Sequence, residues 1–320
     1  MSEPRPPGIA DYARAYREGQ TSPAAAAEAC LAAIRASDQD DPPLRAVITI
    51  LDDAMTAAEA ASERIAAGTP RSLLDGVPIV VKDNVDVAGV PTTHGLPIEL
   101  PVPEADARAV ARLREAGAII VGKANLHQLG AGTTGINPHT GTPRNPFDPQ
   151  RWCGGSSSGC ACAVGSGLVP MAVGTDAGGS VRAPAAFVGA VGFKPTFGRI
   201  SRTGMAVLCD TLDHIGPLVT TCADAALTFA TMAAIDSDDD ETWDQPPLPA
   251  DFLAAAARSP AGLRIGFARH TLESRVVEPE VAKAVTDAAS ALAEAGCQIV
   301  DVTVPDLDEA RILGLILLGA

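Results

Sequence analysis

The chain is poor in aromatic side chains and in lysine. Phe, Trp and Tyr together make up 3% of its 320 residues, whereas 47% are hydrophobic, with Ala and Val prominent. A core made of such residues has to be packed from small side chains at close spacing. Positive charge is scarce: 24 Lys and Arg stand against 39 Asp and Glu, for a net charge of −15. That balance argues against nucleic acid or anionic membranes as surface partners, because both attract basic patches. No stretch supplies the ~20 apolar residues of a membrane span. The opening Met-Ser-Glu-Pro-Arg-Pro-Pro has no apolar signal core. The five histidines are scattered and suggest neither a zinc pattern nor a Ser-His-Asp arrangement. His94 or His127 could lie near a site, with a structural role as the default. The seven cysteines form no C-x-x-C pair and sit among small apolar neighbours. Most of them read as buried free thiols in a reducing compartment, so the expected setting is soluble and cytoplasmic. Two acidic blocks, at 38–41 and 236–244, read as solvated loops without a metal-ligand pattern.

What the chain does have is concentrated between residues 153 and 195. Two Gly-Gly-Ser steps occur there, Gly154-Gly155-Ser156 and Gly178-Gly179-Ser180, separated by a helix-like segment at 160–164 and a strand-like one at 169–173. Glycine pairs allow tight turns and close approach of backbone N–H groups to a ligand. A serine beside such donors is the raw material for a nucleophile next to an oxyanion hole. The composition also suits a flexible linker, but Trp152 and Cys153 before it and a small apolar run after it place it in a packed region. No Gly-Lys-Ser/Thr follows either step, so a phosphate cradle is disfavoured.

A serine nucleophile needs a base, and only four lysines are present: Lys82, Lys123, Lys194 and Lys283. Lys82 ends the run Gly76-Val77-Pro78-Ile79-Val80-Val81, which reads as a buried strand. Desolvation at the strand end would favour the neutral amine and make it a general base near pH 7. The alternative is an ordinary lysine whose ammonium reaches water past the strand end.

Gly76-x-Pro-x-x-Val-Lys82-Asp-Asn, Gly154-Gly-Ser156-Ser-Ser-Gly and Gly174-Thr-Asp-x-Gly-Gly-Ser180-x-Arg182-x-Pro184 occur in that order. Lys82 and Ser156 are 74 residues apart, and Ser156 and Ser180 are 24 apart. In motifs and spacing the chain resembles the amidase signature family, over roughly residues 9 to 304. Companion segments at 121–126, 144–146, 192–199 and 212–217 are similar too. The resemblance implies an α/β fold, one domain over residues 1–320 with its signature core at about 75–217, and a mixed β-sheet covered by helices on both faces. It implies Lys82 as base, Ser156 as relay and Ser180 as nucleophile. Backbone N–H groups around Ala177, Gly178, Gly179 and Ser180 would hold the oxyanion. Asp176 and Arg182 would support the nucleophile loop, and Ser157 and Ser158 would cap the following helix. No metal or organic cofactor is required.

Local patterns agree with an α/β layer architecture. Helices are expected over 9–19, 24–36, 52–67, 106–116, 224–234 and 279–295, with Ser22 and Pro23 supplying a cap and a first-turn proline. Strands are expected over 44–51, at Lys82, and over 118–121, 263–268 and 298–304. The proline-rich stretch 245–261 reads as a connector with a short helix inside. The apolar run 312–320 departs from the family, whose members commonly continue further, so the expectation is a C-terminally shortened fold. Three functions stay open: an amidase acting on a small carboxamide, the glutaminase subunit of a tRNA-dependent amidotransferase, or an inactive binding or interaction protein. A homodimer or partner subunits would be compatible with the first two.

Overall fold

The computed structural model describes residues 5–304 and 307–319; the readings made of residues 1–4 and of Ala320 lie outside these. The chain divides after Leu253 into two compact units. In the first, helices α1 (Ile9–Arg17) and α2 (Pro23–Ser37) precede strand β1 (Val47–Ile50), and α3 (Ala54–Ala66) leads to β2 (Pro78–Lys82). Helix α4 (Arg108–Glu115) and β3 (Ile119–Ala124) follow. A small antiparallel pair, β4 (Arg144–Asn145) and β5 (Asp148–Trp152), precedes α5 (Ser158–Gly165) and β6 (Met171–Asp176). Then come α6 (Arg182–Phe187), β7 (Val191–Gly192), β8 (His214–Val219) and α7 (Cys222–Met232).

Among the described residues six strands form a mixed sheet in the order β1-β3-β2-β6-β8-β7. Strand β2 runs parallel to both β3 and β6, and β8 is antiparallel to β6 and β7. Successive residues Ile79, Val80 and Val81 of β2 are all fully buried. Because neighbours on a strand point to opposite faces, both faces of the sheet are covered. The core is built from Ala, Val and Ile, as the scarcity of aromatics requires.

Ends of the elements follow local chemistry. Ser22 Oγ accepts the Ala25 N–H at 3.2 Å, with Pro23 opening α2. Gly117 takes φ +98° after α4, where a Cβ would meet the Asp75 carboxylate and backbone. In the second unit β9 (Arg264–Phe267) and β10 (Gln298–Asp301) pair in parallel through α9 (Pro279–Glu294), after the short α8 (Phe252–Ala255) that begins in the connector. Helix α10 (Leu307–Gly319) contains residues 312–319 of the apolar run, with Ile312, Leu313 and Ile316 exposed. Among the described residues no helix is long and apolar enough to cross a membrane.

Three features differ from the sequence reading. Prolines 143, 146 and 149 mask the β4–β5 pair, and Gly216 and Pro217 mask β8. The acidic block after residue 235 is not uniformly solvated: Asp236 and Asp239 are buried. Asp236 accepts from Ser201 Oγ at 2.6 Å and pairs with Arg108 at 3.1 Å, and Asp239 accepts the Arg202 N–H at 2.7 Å. Periodicity does not reveal carboxylates that staple a distant loop. Finally, Ser157 does not cap α5 with its side chain. Its Oγ donates to the Thr175 carbonyl at 3.2 Å, and Ser158 Oγ is buried without a partner among the described residues.

Burial alone would raise the Asp236 carboxyl, but bonds from Ser201, Thr203 and Arg108 outweigh it and hold the group well below the usual range. A depressed carboxyl stabilises the fold above its unfolded value, and that stability is lost as pH falls toward the folded one. Asp236→Ala is expected to cost about 2–3 kcal/mol at pH 7, and the deficit should shrink below about pH 4. Urea unfolding of both proteins at pH 7 and pH 3.5 measures it.

Candidate active site

Parallel strands deliver their C-terminal ends to one edge of a sheet, and β2 and β6 are neighbours there. Lys82 is the last residue of β2, and Thr175 and Asp176 end β6. The loops entering α5 and α6 arrive at this edge with Ser156 and Ser180. Lys82 has no exposed surface, and its Nζ donates to Ser156 Oγ and to Thr175 Oγ1, each at 2.7 Å. Asn84 Nδ2 lies 3.1 Å from the same threonine oxygen. Burial lowers the Lys82 pKa to about 8, against partial opposition from Cys160, Asp176 and Asp213. The ordinary-lysine alternative, with its ammonium in water, does not describe this side chain.

Ser156 lies in a crowded turn. The Gly155–Ser156 peptide is cis. A Cβ on Gly155 would sit 2.8 Å from Gly135 N and 2.9 Å from Gly132 O, so only glycine lets the 132–135 loop pack there. His127 donates its backbone N–H to the Ser156 carbonyl at 3.0 Å. Its ring is held below its ordinary pKa by burial and by the nearby Lys82.

The Ser180 carbonyl accepts the Ser157 N–H at 3.1 Å, which ties the two Gly-Gly-Ser loops together. Asp176 organises the second loop. Its fully buried carboxylate accepts from Gly179 N at 2.7 Å and Val181 N at 3.1 Å. The Arg182 N–H at 3.3 Å and a two-pronged bond from its side chain, with Nε at 3.0 Å and Nη2 at 2.9 Å, complete its shell. Desolvation would raise this carboxyl, but the Arg182 and backbone donors prevail and hold it below its ordinary value. The Gly179 N–H is therefore occupied. The N–H groups of Ala177, Gly178 and Ser180 have no acceptor among the described residues, which leaves them available to a ligand. Ser180 is half-buried and Gly178 exposed, so this side of the loop faces outward.

Sequence reasoning did not single out Thr175, although it lies within the Gly-Thr-Asp motif; a hydroxyl there carries no signature of its own. It also passed over Lys123, which is fully buried in an ion pair with Asp83 at 3.1 Å. His94 donates its backbone N–H to the Asp83 carbonyl at 2.9 Å. Among the described residues no group of three or more His, Cys, Asp or Glu is arranged to hold a metal ion.

Residues 26–318 match the sequence profile of the family described as Amidase. The chain belongs to the amidase family. It is 37% identical over 321 residues to a fatty acid amide hydrolase of Arabidopsis thaliana, covering 98% of this chain and 52% of that protein. It is 43% identical over 280 residues to a glutamyl-tRNA(Gln) amidotransferase subunit of Anaeromyxobacter sp. strain K, covering 87% of this chain and 56% of that one. The native peptide amidase of Stenotrophomonas maltophilia superposes with a TM-score of 0.87 at 32% identity, covering 96% of this chain and 64% of the other. The chain thus spans about half the length of the curated relatives it matches.

If Asp176 holds the second loop, Asp176→Ala removes the shared acceptor of Gly179, Val181 and Arg182. A stability loss of about 3 kcal/mol is expected. Urea denaturation checks it, with exposed Asp40→Ala as a control expected within about 0.5 kcal/mol of the parent.

Proposed function

We propose that this amidase-family chain hydrolyses a small carboxamide to a carboxylic acid and ammonia through an acyl-enzyme on Ser180. The observation that carries the reading is the fully buried Lys82 amine, with a pKa of about 8, bonded at 2.7 Å to Ser156 Oγ. Neutral Lys82 takes the proton of Ser156, which takes that of Ser180 as its Oγ attacks the amide carbon. The carbonyl π bond opens to an oxyanion, held by the free N–H groups of the Ala177-Gly178-Ser180 turn. The proton returns through Ser156 to the amide nitrogen, the C–N bond breaks and ammonia leaves. Water, deprotonated by the same relay, then releases the acid and restores the Ser180 hydroxyl. Asp176 and Arg182 shape the loop, and no metal or organic cofactor takes part. The setting we assign is the cytoplasm, with a second copy or partner subunits compatible with the reading.

One observation favours a second reading, the glutaminase subunit of a tRNA-dependent amidotransferase: the 43% identity to such a protein. That role requires partner subunits, and co-purification with two of them would support it. A third reading, an inactive binding protein, is disfavoured by the assembled Lys82–Ser156 pair.

Incubation with a serine-directed fluorophosphonate, read by intact mass, tests the nucleophile. One adduct is expected on the parent and none on Ser180→Ala, with labelling slowed about 100-fold or more in Lys82→Ala. No adduct on a folded parent overturns the proposal. Ammonia release from a panel of amides then identifies the acyl group.

A further inference from the structure

The relay asks Lys82 to present a lone pair to Ser156, yet a primary amine rotates freely about its Cε–Nζ bond. We propose that Thr175 is the positioning residue for Lys82, its hydroxyl oxygen holding one N–H of the amine so that the lone pair is left for Ser156. The inference rests on the acyl-transfer reading above.

The argument is one of donors and acceptors. A neutral amine has two N–H groups and one lone pair. Within hydrogen-bond reach of Nζ, among the described residues, lie two hydroxyls, those of Ser156 and Thr175. If both could donate, the lone pair would be shared between a productive and an unproductive partner. Asn84 breaks this symmetry. Its side-chain amide lies against Thr175 Oγ1, with Nδ2 at 3.1 Å and Oδ1 at 3.5 Å. The nearer Nδ2 donates to Thr175 Oγ1, and the longer Oδ1 contact gives the Thr175 proton an acceptor other than Lys82, so Thr175 can meet the amine as an acceptor. Ser156 is then the remaining hydroxyl that can give a proton to the lone pair. Thr175 is itself fixed at the end of β6, and its backbone N–H and carbonyl both meet Ser157 Oγ, next to the relay serine. The threonine is therefore coupled to the amine and to the turn that carries Ser156.

Removing this oxygen has two consequences. The amine loses its orientation, which slows the relay. The buried ammonium also loses one of its acceptors, which disfavours the charged form and moves its titration to lower pH. Other groups bearing on Lys82 are Cys160 from α5, Asp176 from β6, Asp213 before β8 and His127 from the 127–137 loop. The substitutions below leave all of them in place.

The chain has four lysines, so a ¹³C-lysine sample gives four Cε signals, and Lys82→Met identifies that of Lys82. Titration of the parent, Thr175→Val, Thr175→Ser and Asn84→Ala reads the amine directly, with fluorophosphonate labelling measured in parallel. In Thr175→Val the Lys82 midpoint is expected to fall by about 0.5 pH unit or more, and plateau labelling by about 10-fold. Thr175→Ser should keep both close to the parent, and Asn84→Ala should shift both in the same direction as Thr175→Val. If Thr175→Val does not fold, Asn84→Ala and Thr175→Ser carry the test. Variants that lower the melting temperature yet leave the Lys82 midpoint and labelling rate at parental values overturn the proposal. A shifted midpoint in a chain that forms no adduct supports the amine contact and removes the hydrolase reading alone.

Discussion

Everything at the proposed site depends on a lysine with no exposed surface. Strands β2 and β6 are parallel neighbours inside a sheet covered on both faces, so the residue ending β2 is enclosed by β6, α5 and the loops above. Lowering the Lys82 pKa from 10.5 to about 8 corresponds to about 3 kcal/mol of disfavour for the ammonium relative to water. The fold sustains this because the amine keeps two hydroxyl partners at 2.7 Å. Burial and the nearby Cys160, Asp176 and Asp213 act in opposite directions on the charge, and their balance sets the Lys82 pKa at about 8.

The two serines are placed by different devices. Ser156 sits in a turn that only glycine at 155 allows, against the 132–135 loop. Ser180 sits on a loop wound around the Asp176 carboxylate, which gathers three backbone N–H groups and the Arg182 fork. The Ser157–Ser180 backbone bond joins them. A buried carboxylate with this many donors holds its loop firmly while leaving three outward N–H groups without acceptors among the described residues.

Much of this is legible in the chain itself. A β-branched run ending in lysine forecasts β2, and the ordered Gly-Gly-Ser steps point to paired loops and to the family. Helices with clear caps, such as α2, fall within a residue or two of their expected ends. The parts that are not legible depend on contacts distant in sequence. Thr175 acquires its place only when β6 lies beside β2, with Lys82 93 residues away. Asp236 is buried because Ser201 and Arg108 come to it from other segments. Ser157 has the sequence position of a helix cap, but the adjacent β6 backbone offers its hydroxyl a better-placed acceptor.

The central claim is that Lys82 works as a neutral amine on Ser156, and the pH dependence of Ser180 modification tests it most directly. Second-order labelling by an uncharged fluorophosphonate should rise about tenfold per pH unit below pH 7 and level off near pH 8, as the amine loses its proton. A rate independent of pH between about 6 and 9, or one still rising steeply at about pH 10, would contradict the account.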